Sequence, residues 1–310
     1  FLNFCMACKR CKEKPVITLT NNNISLCKGC FIKYFESKVR KTVRQYKLFK
    51  KGETIAVGVS GGKDSLTTLH VLNKIISKQR TTKLLGILID EGIDGYRDES
   101  IITAKKYCSE SGIPLHIFSF EDEFGYKLDK ALKKLNINSC SLCGVFRRYL
   151  LNKASRDLKV DRIATGHNLD DESQSIIMNT FRNSMETSAR LGPITGIQED
   201  AKFIKRIKPL YFLTEKEIMT YAFIKGLTDN FNECPYAKNS LRSDVRNMIN
   251  GITKKYPSTK YSIVNSFLEI LPSLKEKYSG SAIETCEECG EPSSNSFCRA
   301  CIYVKELKNG

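Results

Sequence analysis

Two cysteines three residues apart, Cys140 and Cys143 in "CSLCGVFRRY", head a basic stretch far from any other cysteine group. Positions i and i+3 put both sulfurs on one side of a helix start. Where thiols are kept reduced, such sulfur serves metal ligation or redox chemistry rather than disulfides. Two ligands do not complete a site. Cys234, in "FNECPYAKNS", is the further cysteine with a suggestive setting, whereas Cys108, in "AKKYCSESG", falls within a helix and reads as a packed core thiol. Three thiolates suit a zinc with an open position or a cubane iron-sulfur cluster with one iron left free. A third structural zinc would use the same residues, and the spacing alone leaves these open.

The terminal cysteines have a simpler chemistry. Cys8-x2-Cys11 and Cys27-x2-Cys30 are joined by a 15-residue excursion in which "VITL" and "NNN" fit a short hairpin. Cys286-x2-Cys289 and Cys298-x2-Cys301 enclose eight residues rich in Gly, Pro, Ser and Asn, which turn tightly without a core. Both patterns present four thiolates to Zn2+ in a small module that metal binding folds. Cys5 is left over and could replace a ligand in the first set.

A nucleotide site is written in residues 55–69, "IAVGVSGGKDSLTTL": an apolar strand ending at Gly58 and Val59, a Gly-rich turn, then a helix start. Gly61 and Gly62 let backbone approach an anion, while the helix N-terminal amides, Lys63 and the hydroxyls of Ser60 and Ser65 can hold phosphate oxygens. A Walker A motif cannot be laid on "SGGKDS". The stretch resembles the PP-loop of the ATP pyrophosphatases, which implies cleavage of ATP between the α and β phosphates and transfer of AMP to a substrate oxygen. Further strands end at Asp90, in "GILIDEG", and before Gly166 and His167, in "ATGHNLDDE". In the acidic turn, Asp170, Asp171 and Glu172 complement a helix dipole, which accounts for one or two of the three. By the resemblance, Asp170 is left for Mg2+ coordination or substrate orientation. Asp64, inside the loop, is a second residue for metal binding or proton transfer, and His167 shapes the adenosine pocket.

Together, "SGGKDS", "CSLCG", "ATGHNLDDE" and "ECPYA", framed by zinc knuckles at each end, resemble the tRNA 2-thiouridine synthetases over nearly the whole chain. The resemblance implies that Cys140, Cys143 and Cys234 hold a 4Fe-4S cluster with one open iron. It further implies that ATP adenylates the C2 oxygen of a uridine and that sulfur then displaces AMP. A persulfide relay on the same cysteines is the alternative. "CGVFRRY" and "SLRSDVRN" place the chain nearer the wobble-U34 branch of archaea and the eukaryotic cytoplasm, while "ECPYAK" echoes the sister branch acting on U54. Arg147, with Arg148, Arg242 and Arg246, is then expected at phosphate or the adenylated base. The expected partners are tRNA, a sulfur donor that is sulfide or a ubiquitin-like carrier protein, and a second copy in a homodimer. The cofactors are the cluster, ATP, Mg2+ and two structural Zn2+.

The elements that must position these residues follow from the pattern. Strands alternating with helices predict an α/β fold with a parallel sheet and ligands at the strand C-terminal ends, where Ser60, Asp90 and Gly166 would meet. We expect a zinc ribbon at 1–33, a basic linking helix at 34–51 and a PP-loop ATP pyrophosphatase domain at 52–213. A helical segment carrying the third cluster cysteine, at 214–283, and a second ribbon at 284–310 complete the chain. "TEKE" ahead of "IMTYAFIKG" is a capping signature for one of its helices. With 310 residues, 41% hydrophobic, the chain can bury a sizeable core, and a formal charge of +16 suits a polyanion partner. No apolar run approaches a membrane span, so a cytoplasmic protein is expected. Two other classes compete: a PP-loop ligase using ammonia, against which no glutaminase segment is recognisable, and a noncatalytic RNA-binding zinc protein, which the intact "SGGKDS" opposes.

Overall fold

A computed structural model describes residues 7–197, 202–228, 234–237, 241–279 and 284–309. Cys5 lies outside them. The chain opens with a hairpin, β1 (Ile17–Thr18) and β2 (Ser25–Leu26), paired antiparallel as "VITL" and "NNN" suggest. Helix α1 (Lys28–Gln45) begins inside the first cysteine module, with Cys27 at its N-cap and Cys30 in its first turn. The basic helix is therefore a continuation of the second knuckle.

The centre of the molecule is a parallel sheet. β3 (Thr54–Val59) leads into α2 (Lys63–Ile76), β4 (Lys83–Asp90) into α3 (Arg97–Glu110), and β5 (Leu115–Ser119) into the short helices α4 (Phe120–Phe124) and α5 (Leu128–Lys134). The long α6 (Ser139–Asp157) then crosses to β6 (Arg162–Ala164), followed by α7 (Leu169–Phe181), α8 (Met185–Ala189) and β7 (Lys205–Ile207). Strand order is β5-β4-β3-β6-β7, all parallel. The chain runs outward from β3 to β5, then returns to the other side of β3 with β6. That reversal opens a crevice beyond the C-terminal ends of β3 and β6, the usual ligand position in such sheets.

A sheet covered on both faces needs strands that are apolar on both sides. Ile55, Val57 and Val59 of β3 enter one core while Ala56 enters the other, and Leu88 is separated from Ile87 and Ile89 in the same way. The first core also contains Cys8 and Cys27 and, from α1, Phe31 and Phe35. It is closed by α9 (Glu215–Lys225), whose Tyr221 stacks on Phe35 with ring centroids 4.0 Å apart. Thr214 and Glu217 form the capping box that "TEKE" foretells, and Gly226 ends the helix.

The second core joins α4 and α6 to the C-terminal module. Phe124 and Phe146 stack at 3.9 Å, and Cys286, Cys298 and Cys301 are buried beside them. A 3-10 turn (Pro235–Ala237), α10 (Leu241–Lys255), α11 (Thr259–Lys277), the hairpin β8 (Glu284–Thr285) and β9 (Pro292–Ser293), and α12 (Arg299–Asn309) complete the described chain. The two cysteine modules thus pack against opposite faces of the sheet. Among the described residues, no helix is long and apolar enough to cross a membrane.

Candidate active site and metal centres

The loop Ser60–Ser65 leaves β3 and becomes the first turn of α2. Gly61 has φ +77°, and a Cβ there would fall 2.2 Å from the carbonyl oxygen of Ser100, so only glycine passes beneath α3. Ser65 Oγ accepts from the Ser60 amide at 3.0 Å and donates to the Gly62 carbonyl at 3.0 Å, closing the loop on itself. Gly62 is the N-cap of α2 and has no side chain to cap it, which leaves the first amides of the helix for a ligand. Lys63 Nζ lies 3.0 Å from Asp64 Oδ2 and 3.1 Å from Glu215 Oε1.

Opposite the loop stands the turn before α7. Asn168 caps that helix by accepting from the amides of Asp170 and Asp171, and its Nδ2 donates to Asp64 Oδ1 at 3.3 Å. The three acidic residues point to three different places. Asp170 is buried, pairs with Lys260 of α11 and accepts from the Glu215 amide at 2.9 Å; Glu172 pairs with buried Lys208 at 2.7 Å. Lys260 and the Glu215 amide thus engage Asp170, Lys208 engages Glu172, and Asp171 lies near Arg242 with its Oδ2 accepting from the Asn168 amide. Burial, and then the Asp64 charge, pushes Asp171 up to about 6 despite Arg242 at 3.7 Å. Burial likewise raises Asp64. Asp64 and Asp171 are the oxygen donors on the two sides of the Asn168 cap that a divalent cation could use.

His167 follows β6 and takes part in a hydrogen bond with Thr165 Oγ1 at 2.8 Å. Its side chain is exposed to solvent. Burial and the charges of Lys208, Arg147, Arg242 and Arg206 hold it well below the ordinary imidazole value. That lowering favours a neutral, hydrogen-bonding ring. Asp90 ends β4 and accepts from the Gly92 amide at 2.9 Å.

Residues that the sequence did not single out connect the loop to the central cysteines. Buried Arg97 donates to the carbonyl oxygens of Ser60, at 3.1 Å, and Ile89, and its Nε sits 2.8 Å from Glu91 Oε2. Glu91 in turn lies 3.8 Å from Arg147 on α6. Arg97 therefore locks the ends of β3 and β4 and places one carboxylate between loop and cysteines. Nothing in the pattern of "GYRDES" marks that role.

Cys140 and Cys143 lie in the first turns of α6, whose N-cap Asn138 accepts from the Ser141 amide. Cys234 immediately precedes the 3-10 turn that meets α6: Cys140 Sγ is 3.7 Å from the Tyr236 carbonyl oxygen, and the Tyr236 hydroxyl donates to Asp129 at 2.7 Å. Burial pushes the Cys143 thiol up to about 12, Arg147 opposes this, and Glu91, Cys234 and Cys140 add to it. The Cys234 thiol is raised as well, first by burial, with Cys140 and Glu91 among the further causes. The three sulfurs thus share one environment. They do not close to the spacing of the terminal sets, whose sulfur atoms all lie within 4.8 Å of one another, Cys8, Cys11, Cys27 and Cys30 in one and Cys286, Cys289, Cys298 and Cys301 in the other. The tight sets fit a single tetrahedral ion. The wider, three-membered set fits a larger polynuclear group with one corner free of protein.

Each tight set also has a preactivated ligand. Burial opposes ionisation of Cys8, but amides of Cys27, Arg10 and Cys11 bring it down to about 6, and amides of Cys298, Cys289 and Glu288 do the same for Cys286.

A Gly-rich loop at the switch point of a parallel sheet, with paired carboxylates across from it, defines an ATP-binding PP-loop protein. Residues 33–249 match the PP-loop domain family, and residues 8–32 match the N-terminal LIM domain of the 2-thiouridine synthetase TtuA. The chain is 36% identical to cytoplasmic tRNA 2-thiolation protein 1 of Danio rerio, covering 98% of this chain and 89% of that protein. It is 39% identical to the tRNA-5-methyluridine(54) 2-sulfurtransferase of Pyrococcus horikoshii, over 96% and 93%. Among solved structures, the U34-tRNA thiolase NcsA from Methanococcus maripaludis with its 4Fe-4S cluster superposes with a TM-score of 0.85 at 36% identity, covering 98% of this chain and 97% of that one. The chain belongs to the PP-loop tRNA 2-thiolation family.

Proposed function

We propose that this chain is an ATP-dependent tRNA uridine 2-sulfurtransferase acting at wobble U34. The observation that carries this reading is the run of contacts from Ser60 through Arg97 and Glu91 to Arg147, which ties the nucleotide loop to the helix that carries Cys140 and Cys143. Adenylation and sulfur transfer at one carbon require that adjacency.

The residues take roles that follow from their positions. The amides at the start of α2, Ser60, Ser65 and Lys63 bind phosphate oxygens, and Asp64 with Asp171 holds Mg2+. The uridine C2 oxygen attacks the α phosphorus, pyrophosphate leaves, and AMP becomes the leaving group at C2. Arg147 stands beside Cys143 and balances the charge of the adenylated base. Cys140, Cys143 and Cys234 would hold the cluster, which would supply the sulfur that replaces AMP at C2. His167, neutral, donates or accepts a hydrogen bond in the adenosine pocket without changing charge. The two tight cysteine sets hold structural Zn2+.

The wobble assignment rests on "CGVFRRY" and on the likeness to the U34 thiolase; the U54 enzyme, at 39% identity against 36%, is the alternative. A cytoplasmic homodimer fed by sulfide or by a ubiquitin-like carrier completes the reading. Nucleoside mapping tests it: reconstituted protein, ATP, Mg2+ and unmodified tRNA should give 2-thiouridine at U34, with sulfide and a thiocarboxylated carrier compared as donors. Product at U54 would move the chain to the sister activity.

A further inference from the structure

We infer that an exposed cationic groove at the N-terminal edge of the sheet, away from the chemistry, binds the phosphate backbone of the RNA substrate at a distance from its target base. The inference rests on the proposed tRNA substrate and adds a second contact surface to it.

The groove lies where the end of α1, the approach to β3 and the segment after α2 come together. Arg44, Lys47, Lys50, Lys51, Lys78 and Arg80 line it. All six are exposed. Their side chains appear in none of the ion pairs found among the described residues, whereas Lys38, Lys63, Lys74 and Arg162, close by in sequence or space, are each paired with a carboxylate. Val43 and Phe49 contribute an apolar floor. A cavity of about 880 Å3 is within the range of small-molecule pockets, but those carry only a few placed polar groups. Six cations among ten lining residues, with no acid, instead match a polyanion whose bound counterions are released on contact.

Position decides what the polyanion is. Lys50 and Lys51 precede β3, and Ser60 of the nucleotide loop follows its last residue, Val59. Six residues of strand separate them, about 20 Å at ~3.3 Å per residue. A ligand no larger than ATP bound at the loop cannot reach the groove. A folded RNA with one base in the cleft can, because its backbone continues well beyond the target nucleotide. An acidic protein surface is the other possible occupant, and the test separates the two.

The triple variant Lys50→Ala, Lys78→Ala, Arg80→Ala removes half the charge; Lys47 is left alone because its φ of +48° makes the position sensitive for reasons unrelated to binding. Binding of full-length tRNA and of a short stem-loop carrying only the target uridine is measured by filter retention across a salt series, with circular dichroism as the control for folding. The groove predicts about tenfold weaker binding of full-length tRNA, a salt slope shallower by about 3, and unchanged binding of the stem-loop. Unchanged tRNA binding by a folded variant would overturn the inference and leave an acidic protein as the occupant. Equal losses for both RNAs would also overturn it, since the contact would then not be distal. If the unmodified protein retains neither RNA, the tRNA reading itself fails.

Discussion

Gly166 lies directly against Asp64: a Cβ on Gly166 would fall 2.8 Å from the carbonyl carbon of Asp64 and 2.9 Å from its Cβ. The turn after β6 and the nucleotide loop are therefore in backbone contact, and the gap between Asp64 and Asp171 depends on a missing side chain. Gly166→Ala must push the two apart. We expect ATP cleavage to fall about a hundredfold with little change in melting temperature, because a shift near 1 Å suffices to misplace reacting groups. Pyrophosphate release and thermal denaturation on the same sample check this.

Asp171 supplies a pH signature. Its folded value, about 6, lies above the ordinary carboxylate value of 3.8, so the folded state favours the protonated form. Its contribution is fully present below pH 3.8 and is lost as pH rises through 6. Asp171→Asn keeps an acceptor for the Asn168 amide and removes the charge. Without Mg2+ and ATP, the variant should be more stable than the parent at pH 7.5, by on the order of 1 kcal/mol after allowance for solvent screening, with the advantage vanishing near pH 4. It should also lose the Mg2+-dependent rise in melting temperature. A variant less stable at pH 7.5 would contradict the placement.

In cluster-free protein the central cysteines should differ in reactivity. Cys140 is exposed, while the Cys143 thiol is partly covered and pushed up to about 12, leaving almost no thiolate at neutral pH. Iodoacetamide at pH 7.5 should alkylate Cys140 before Cys143, by roughly tenfold or more in rate as read by peptide mass spectrometry. Cluster reconstitution should protect both.

The C-terminal module should steady the helix that carries two of these cysteines. Glu291, almost fully buried, pairs with Arg156 and accepts from Asn152 Nδ2 at 3.2 Å, both on α6. Glu291→Ala leaves Arg156 without its carboxylate, while Asn152 Nδ2 keeps the Lys202 carbonyl at 2.9 Å, and we expect a loss of about 2 kcal/mol in chemical denaturation. Zinc content should stay at two ions per chain, since none of the eight ligands changes. Loss of zinc would instead make Glu291 part of the metal module's own fold.

Much of the site was legible because its chemistry is local. "SGGKDS" and the CxxC knuckles each lie within one turn of chain, and backbone geometry alone brings their groups together. Asp170 and Asp171 could not be told apart that way: adjacent residues at a helix start point in different directions, and the choice is made by Lys260, 90 residues further on. Arg97 and Glu91 escaped notice for the same reason, since their function is to tie the ends of two strands. β5 and β7 lacked distinct signals because "LHIFS" is only half-buried and "KRI" is three residues long at the sheet's edge. The groove was foreshadowed by the basic run after Phe31, but the segment that follows α2, from Lys78 to Thr81, supplies its other wall.

The most direct test of the account is the ratio of AMP released to 2-thiouridine formed, measured in one anaerobic reaction with the intact protein and with Cys234→Ser. The account predicts one AMP per thiolated uridine for the intact protein, and for the variant no thiolation with ATP cleavage retained. A variant that thiolates as well as its parent would contradict it, because the shared chemistry of Cys140, Cys143 and Cys234 would then play no part in sulfur transfer.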